Sequence, residues 1–111
     1  MPHYRRCREK FHVALYRLAV GEGDVRARLV SVHRYLHMLS EDEVPPSLRV
    51  EWAAILHTLT RRGPEFGRDG TVYKSAVVHT LSRIRNSTGR RIAVRVHALV
   101  GALEILLRTG R

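Results

Sequence analysis

Cysteine is nearly absent from this sequence, in which Cys7 is the only one among 111 residues. A single cysteine excludes an intramolecular disulfide and a zinc site built on several thiolates. Long apolar runs are also missing, since no stretch approaches the ~20 apolar residues that a membrane-spanning helix needs. The first ten residues are polar and charged, without the apolar segment of a secretory signal. We therefore expect a cytoplasmic protein with no membrane partner.

Acidic residues are scarce in the last third of the chain. Residues 1–70 carry twelve basic and nine acidic residues, whereas residues 71–111 carry eight basic residues and only one acid, Glu104. The formal net charge is +10 and the isoelectric point about 11.2. Such a balance favours an acidic partner, either nucleic acid or an acidic protein surface. The alternative is incidental charge, because eighteen of the twenty basic residues are arginine, as a GC-rich genome encodes them.

Apolar residues recur with the helical period in almost every segment, and none alternates long enough to predict a strand. We predict a single domain over residues 1–111, an all-α compact bundle of about five amphipathic helices. A basic N-terminal tail at 1–10 and a mobile loop at 63–70, rich in glycine, complete the predicted domain. The predicted core residues are Leu36, Trp52, Leu56, Val77, Leu81, Leu99 and Leu103.

Capping signals mark the first helix boundaries. Helix 1 should span residues 4–20, and Asp24 should cap helix 2 after two glycines. Ser40 with Glu43 has the form of a capping box, which can open only one turn because prolines follow at once. Pro46 suits the first turn of helix 3.

Later boundaries rest on weaker signals. Helix 3 should stop near Arg62, ahead of a glycine and a proline. Thr71 is the predicted cap of helix 4, with Tyr73 on its apolar stripe. The polar residues 86–89 predict a turn, with Ser87 or Thr88 as the cap of helix 5.

Residues 83–96, RIRNSTGRRIAVRV, are the most basic stretch of the chain and contain no acid. A turn followed by a helix leaves free backbone N–H groups at the helix start, and flanking arginines make such a place favourable for an anion. We predict an anion- or nucleic-acid-binding site whose residues are Arg83, Arg85, Ser87, Thr88, Arg90, Arg91 and Arg95.

This basic stretch has three alternative interpretations. The first is a helix-turn-helix in which helix 5 reads DNA, although Gly89 would weaken the first turn of a recognition helix. The same residues suit phosphate contacts without base reading. Alternatively, the arginines are a solvated face and the polar residues only cap the helix.

Histidines suggest a metal site, since His33 and His37 have the i, i+4 spacing that can present two imidazoles to one ion. No third ligand lies nearby in the sequence, and no Glu follows His33, so the HExxH pattern of zinc hydrolases is absent. We expect no bound metal and no cofactor.

Signals for catalysis are equally weak. Arg28 and His33 have the R-x4-H spacing of some helical ribonucleases, but such spacings arise by chance among so many arginines and histidines. The carboxylates of Glu41, Asp42 and Glu43 lie at a helix start, where capping explains them better than acid–base chemistry. No glycine-rich phosphate loop or serine nucleophile motif is present. We expect a protein that is not an enzyme.

Two segments, LHMLSEDEVPPSLRVEW at 36–52 and RIRNSTGRRIAVRV at 83–96, resemble a set of small uncharacterised all-helical proteins from Gram-negative bacteria. The resemblance implies a helical, cytoplasmic, accessory type of protein and carries over no activity, cofactor or site residue. The function expected from the sequence is a basic helical module that binds an acidic partner, most of all nucleic acid, through residues 83–95 and helix 5. The alternative is a helical protein–protein adaptor or homodimer with incidental charge.

Overall fold

Five α-helices follow one another within residues 4–110, which confirms the predicted all-α class. The structure is a computed structural model and describes residues 4–110. The helices are α1 (Arg5–Val20), α2 (Val25–His37), α3 (Arg49–Thr60), α4 (Ala76–Ser82) and α5 (Asn86–Thr109). Short 3₁₀ turns at Glu41–Glu43 and Pro46–Leu48 lead into α3, and two short strands, β1 (Glu65–Phe66) and β2 (Val72–Lys74), separate α3 from α4.

Helix α2 is the central element, in contact with each of the other four helices. The buried apolar residues of all five helices form one continuous cluster. Of the seven predicted core residues, six are buried, and Leu56 is half-buried against the cluster. Trp52 packs in this core and donates its indole N–H to the carbonyl oxygen of Leu36 at 3.0 Å, as expected of a core anchor.

Two predicted caps are confirmed. The carboxylate of Asp24 accepts a hydrogen bond from the Ala27 N–H at 3.1 Å and starts α2. Ser40 and Glu43 form the capping box, which opens one 3₁₀ turn and no more. The Glu43 carboxylate accepts hydrogen bonds from the Ser40 N–H and from the Arg6 guanidinium, the latter at 2.8 Å. These two hydrogen bonds, that of Ser40 above all, lower the pKa of Glu43 to about 2. Both caps were visible in the sequence because each donor and acceptor lie within three residues.

Segment 63–74 differs from the prediction. Strands β1 and β2 pair antiparallel, with Glu65 opposite Lys74, so a hairpin occupies much of the region predicted as loop. Thr71 is therefore not the cap of helix 4. Ser75 takes that place, accepting from the Val78 N–H at 3.4 Å, and Tyr73 lies on β2 with 71% of its surface exposed. Residues 72–74 pair with β1, so α4 begins only after Ser75.

Most of the basic N-terminal segment is helical, in agreement with the predicted span of helix 1 at 4–20. Residues 5–10 belong to α1, while residues 1–3 lie outside the described part of the chain. On α1, Arg8 and His12 both contact the carboxylate of Glu104 on α5, with Arg8 Nε at 2.8 Å. Cys7 is fully buried on the inner face, and its burial raises the pKa of the thiol to about 12.

No helix within residues 4–110 has the length and apolar character needed to cross a membrane.

Candidate anion-binding site at the start of α5

Helix α5 begins earlier than the sequence indicates. Residues 86–89 were predicted to form a turn, but they are the first turn of the helix, and Arg85 is the N-cap. Neither Ser87 nor Thr88 is the cap, and Arg85 gives no side-chain cap. The first backbone hydrogen bond of the helix joins the Gly89 N–H to the Arg85 carbonyl oxygen at 3.0 Å. The N–H groups of residues 86–88 therefore precede the ladder of intrahelical hydrogen bonds.

The first turn of α5 packs closely against α2. Gly89 is buried, and a Cβ built on it would lie 2.9 Å from Cγ1 of Val25 and 3.5 Å from Cγ of Arg26. Only glycine lets the first turns of α2 and α5 approach so closely. The glycine that suggested a turn in the sequence is thus a packing residue inside a helix.

Three arginines lie within the first turn and a half of α5. Arg85 is at the N-cap, Arg90 and Arg91 follow in the second turn, and all three are exposed. The Arg91 guanidinium donates to the Thr88 hydroxyl at 3.3 Å, which leaves its other N–H groups toward solvent. The structure thus brings together five of the predicted residues, Arg85, Ser87, Thr88, Arg90 and Arg91.

Arg95 is separated from this group by an ion pair. Its guanidinium holds both carboxylate oxygens of Glu51 on α3, with Nε–Oε2 at 3.1 Å and Nη2–Oε1 at 2.9 Å. This contact raises the pKa of Arg95 and lowers that of Glu51. A bidentate pair of this kind joins α5 to α3, so we leave Arg95 out of the candidate site.

Arg83 lies at the edge of the site. It is exposed in the short connection between α4 and α5, and its Nη2 is 4.0 Å from Oε2 of Glu65 on β1. At that distance and exposure the ion pair contributes little, so Arg83 can still turn toward an anion.

Arg26 is a neighbour that the sequence did not single out. Its Nη1 donates to the Ile84 carbonyl oxygen at 3.1 Å, just before α5, and its Nη2 contacts Asp24 at 3.0 Å. The Ala27 N–H and then Arg26 lower the pKa of Asp24. The Asp24 carboxylate at the start of α2 is thus bound by groups of its own helix. No sequence signal links Arg26 to residue 84, since the two are 58 positions apart.

The remaining candidate residues from the sequence are Arg28, His33 and His37. Arg28 donates to the carbonyl oxygens of Gly23 at 3.1 Å and Leu18 at 3.4 Å, so it closes the α1–α2 connection and does not act with His33. His33 and His37 do lie together, with ring centroids 5.2 Å apart. Within residues 4–110, no cluster of three or more His, Cys, Asp or Glu side chains is placed to hold a metal ion.

Comparison with known proteins adds no relative. No protein-family model, no curated protein and no solved structure matches this chain. The resemblance to small helical proteins of Gram-negative bacteria therefore stays a prediction from two short segments, and the function is argued from the site alone.

Proposed function

We propose that this protein is a non-enzymatic module that binds the phosphates of nucleic acid through the start of α5. The observation that carries the proposal is a helix N-terminus without a side-chain cap, with the exposed residues Arg85, Arg90 and Arg91 in its first six positions or at its N-cap. Two acids on neighbouring helices already have cationic partners, since Asp24 is held by Arg26 and Glu51 by Arg95. The positive charge at this end is thus left for an external anion.

Several interactions with phosphate add together at the start of α5. The peptide dipoles of α5 place about half a positive charge at its N-terminus, and the first N–H groups point at an incoming ligand. Arginine forks suit phosphate oxygens, which they bind through two parallel hydrogen bonds. Contacts of this kind position a polyanion without reading its bases. We expect weak, salt-sensitive binding with Kd in the micromolar range or above, on the order of 10⁻⁶–10⁻⁴ M.

The test compares two double variants of equal charge. Arg90→Gln with Arg91→Gln removes two cations from the site, whereas Arg17→Gln with Arg34→Gln removes two exposed cations from α1 and α2. Fluorescence anisotropy with a labelled duplex and a labelled single strand, each over a series of salt concentrations, measures Kd and the salt slope. The site variant should bind more weakly, with a salt slope smaller by about two than that of the parent. The control variant should change both much less.

Two outcomes contradict the proposal. Equal affinity of the site variant and the parent would identify the arginines as a solvated face. Absence of parent binding even at low salt would leave the alternative, a protein–protein adaptor or homodimer.

One observation favours that alternative. The outer face of α5 exposes Val94 to 68% and Ile105 to 54%, with the exposed Ala98 and Gly101 between them. A Cβ built on Gly101 meets nothing within 4 Å, so packing inside the chain does not require this glycine. Sedimentation equilibrium at high salt tests the homodimer, because an apolar interface persists when ion pairs are screened.

A further inference from the structure

His33 and His37 form a histidine pair on the outer side of α2. Their rings stack with centroids 5.2 Å apart and planes 24° from parallel. The pair lines a cleft of about 500 Å³ between α2 and the start of α4, together with Met38 and Ser75. Regular helical geometry holds the two imidazoles side by side, because residues four apart lie one turn above each other.

The ring nitrogens of this pair are available to a ligand. Within residues 4–110 neither imidazole has a hydrogen-bond or ion-pair partner, in contrast to His12 and His79, which contact Glu104 and Glu65. His33 is half-buried, and its ring lies beside that of His37, one helical turn away.

We propose that His33 and His37 are a two-ligand, exchangeable site for a late divalent transition metal ion. Nitrogen ligands suit copper, nickel and zinc, whereas calcium and magnesium require oxygen ligands. The residues that line this cleft include Arg34 and no carboxylate. The order of affinity for a nitrogen site should be Cu²⁺ above Ni²⁺ and Zn²⁺.

The presence of only two protein ligands limits the affinity of such a site for a metal ion. Structural zinc sites use four protein ligands, and a pair leaves the remaining coordination positions to water. The ion should therefore exchange freely and be lost on dialysis. While bound, it links two turns of α2, and an ion that binds the folded chain alone raises the free energy of unfolding.

The experiment uses CuCl₂, NiCl₂, ZnCl₂ and MgCl₂ as probes, with isothermal titration and thermal unfolding followed by circular dichroism. Each protein carries His3→Ala, so that the N-terminal region adds no imidazole. The parent should bind a single Cu²⁺, Ni²⁺ or Zn²⁺ ion, melt at a higher temperature with it, and ignore Mg²⁺. His33→Ala or His37→Ala should weaken binding roughly tenfold or more and remove the rise in melting temperature.

Matched controls replace isolated exposed histidines. His57→Ala and His97→Ala should bind like the parent, because each removes an imidazole that has no histidine one turn away. Equal affinity of His33→Ala and the parent, or a loss of affinity shared by His57→Ala, would overturn the proposal. The nucleic-acid proposal is independent of either result, since it involves neither histidine.

Discussion

The first turns of α2 and α5 touch each other, yet they begin in opposite ways. Helix α2 starts at Asp24, whose carboxylate accepts from the Ala27 N–H and also binds Arg26. Helix α5 starts at Arg85, which supplies no side-chain cap. One N-terminus is neutralised within its own helix, and the other keeps its partial positive charge beside three arginines. The cap of α2 stabilises that helix, whereas the uncapped start of α5 is the basis of the proposed anion site.

The largest expected effect comes from the packing that supports both N-termini. Leu99 on α5 is 3% exposed, and Leu99→Ala should lower the free energy of unfolding by about 2–5 kcal/mol. Urea unfolding followed by circular dichroism measures the change. At a temperature where the variant is folded, its affinity for nucleic acid should match that of the parent. A stability change within about half a kcal/mol, the range of ordinary surface substitutions, would mean that α5 packs differently.

The contact between the two first turns is tested by a pair of glycines. Gly89→Ala places a Cβ 2.9 Å from Val25, and the β-branched valine has little freedom to move. We expect a loss of about 1 kcal/mol from overpacking. Gly101→Ala, on the same helix with nothing within 4 Å, should instead stabilise the protein by roughly 0.5–1 kcal/mol. Chemical denaturation of both variants decides, and a stabilised Gly89→Ala would contradict the close contact.

Exchange of the capping chemistry tests the comparison itself. Arg85→Asp gives α5 the kind of cap that α2 has, so it should stabilise the protein by about 1 kcal/mol. The same change should abolish phosphate binding, because a carboxylate then occupies the free N–H groups. Thermal unfolding and the anisotropy titration measure the two effects. Arg85→Ala is the control, since it removes the cation without adding a cap. Unchanged binding by Arg85→Asp would place the anion site elsewhere.

The smallest expected effect is a difference in acid sensitivity. The lowered pKa of Asp24 means that its cap contributes stability above the pKa of the unfolded chain and loses it as the pH falls through the lower, folded pKa. The start of α2 should therefore loosen below about pH 4, while the start of α5, which has no carboxylate cap, does not respond directly. Amide exchange at Ala27 and Gly89 reports the two ends separately. Asp24→Asn should remove the pH dependence at Ala27, because asparagine caps without titrating.

Local rules predicted the α2 end of this comparison and missed the α5 end. Asp24 and the box of Ser40 with Glu43 act across three residues, so the sequence contains the whole interaction. Gly89 packs against Val25, more than sixty positions away, whereas residues 86–89 alone resemble a turn. Tertiary packing overrode a correct reading of local preference.

The same limit applies to the site residues. Arg85, Arg90 and Arg91 were predicted from charge and position, and they lie together at the helix start. Arg95 looked equivalent in the sequence, but Glu51, 44 positions away, holds it. Likewise, the pairing of β1 with β2 displaced the predicted cap from Thr71 to Ser75. The error at Arg95 involves a partner distant in the sequence, whereas the error at Thr71 involves a hairpin whose strands are less than ten positions apart.

The buried thiol of Cys7 can report when α1 leaves the core. A thiol reagent reacts with the thiolate, and a fully buried group with a pKa of about 12 supplies almost none in the folded state. Labelling therefore proceeds only in molecules whose α1 has left the core. Because the chain has no other cysteine, the reaction is a single exponential process. Its dependence on reagent concentration gives both the opening rate and the opening equilibrium of α1, without any engineered probe.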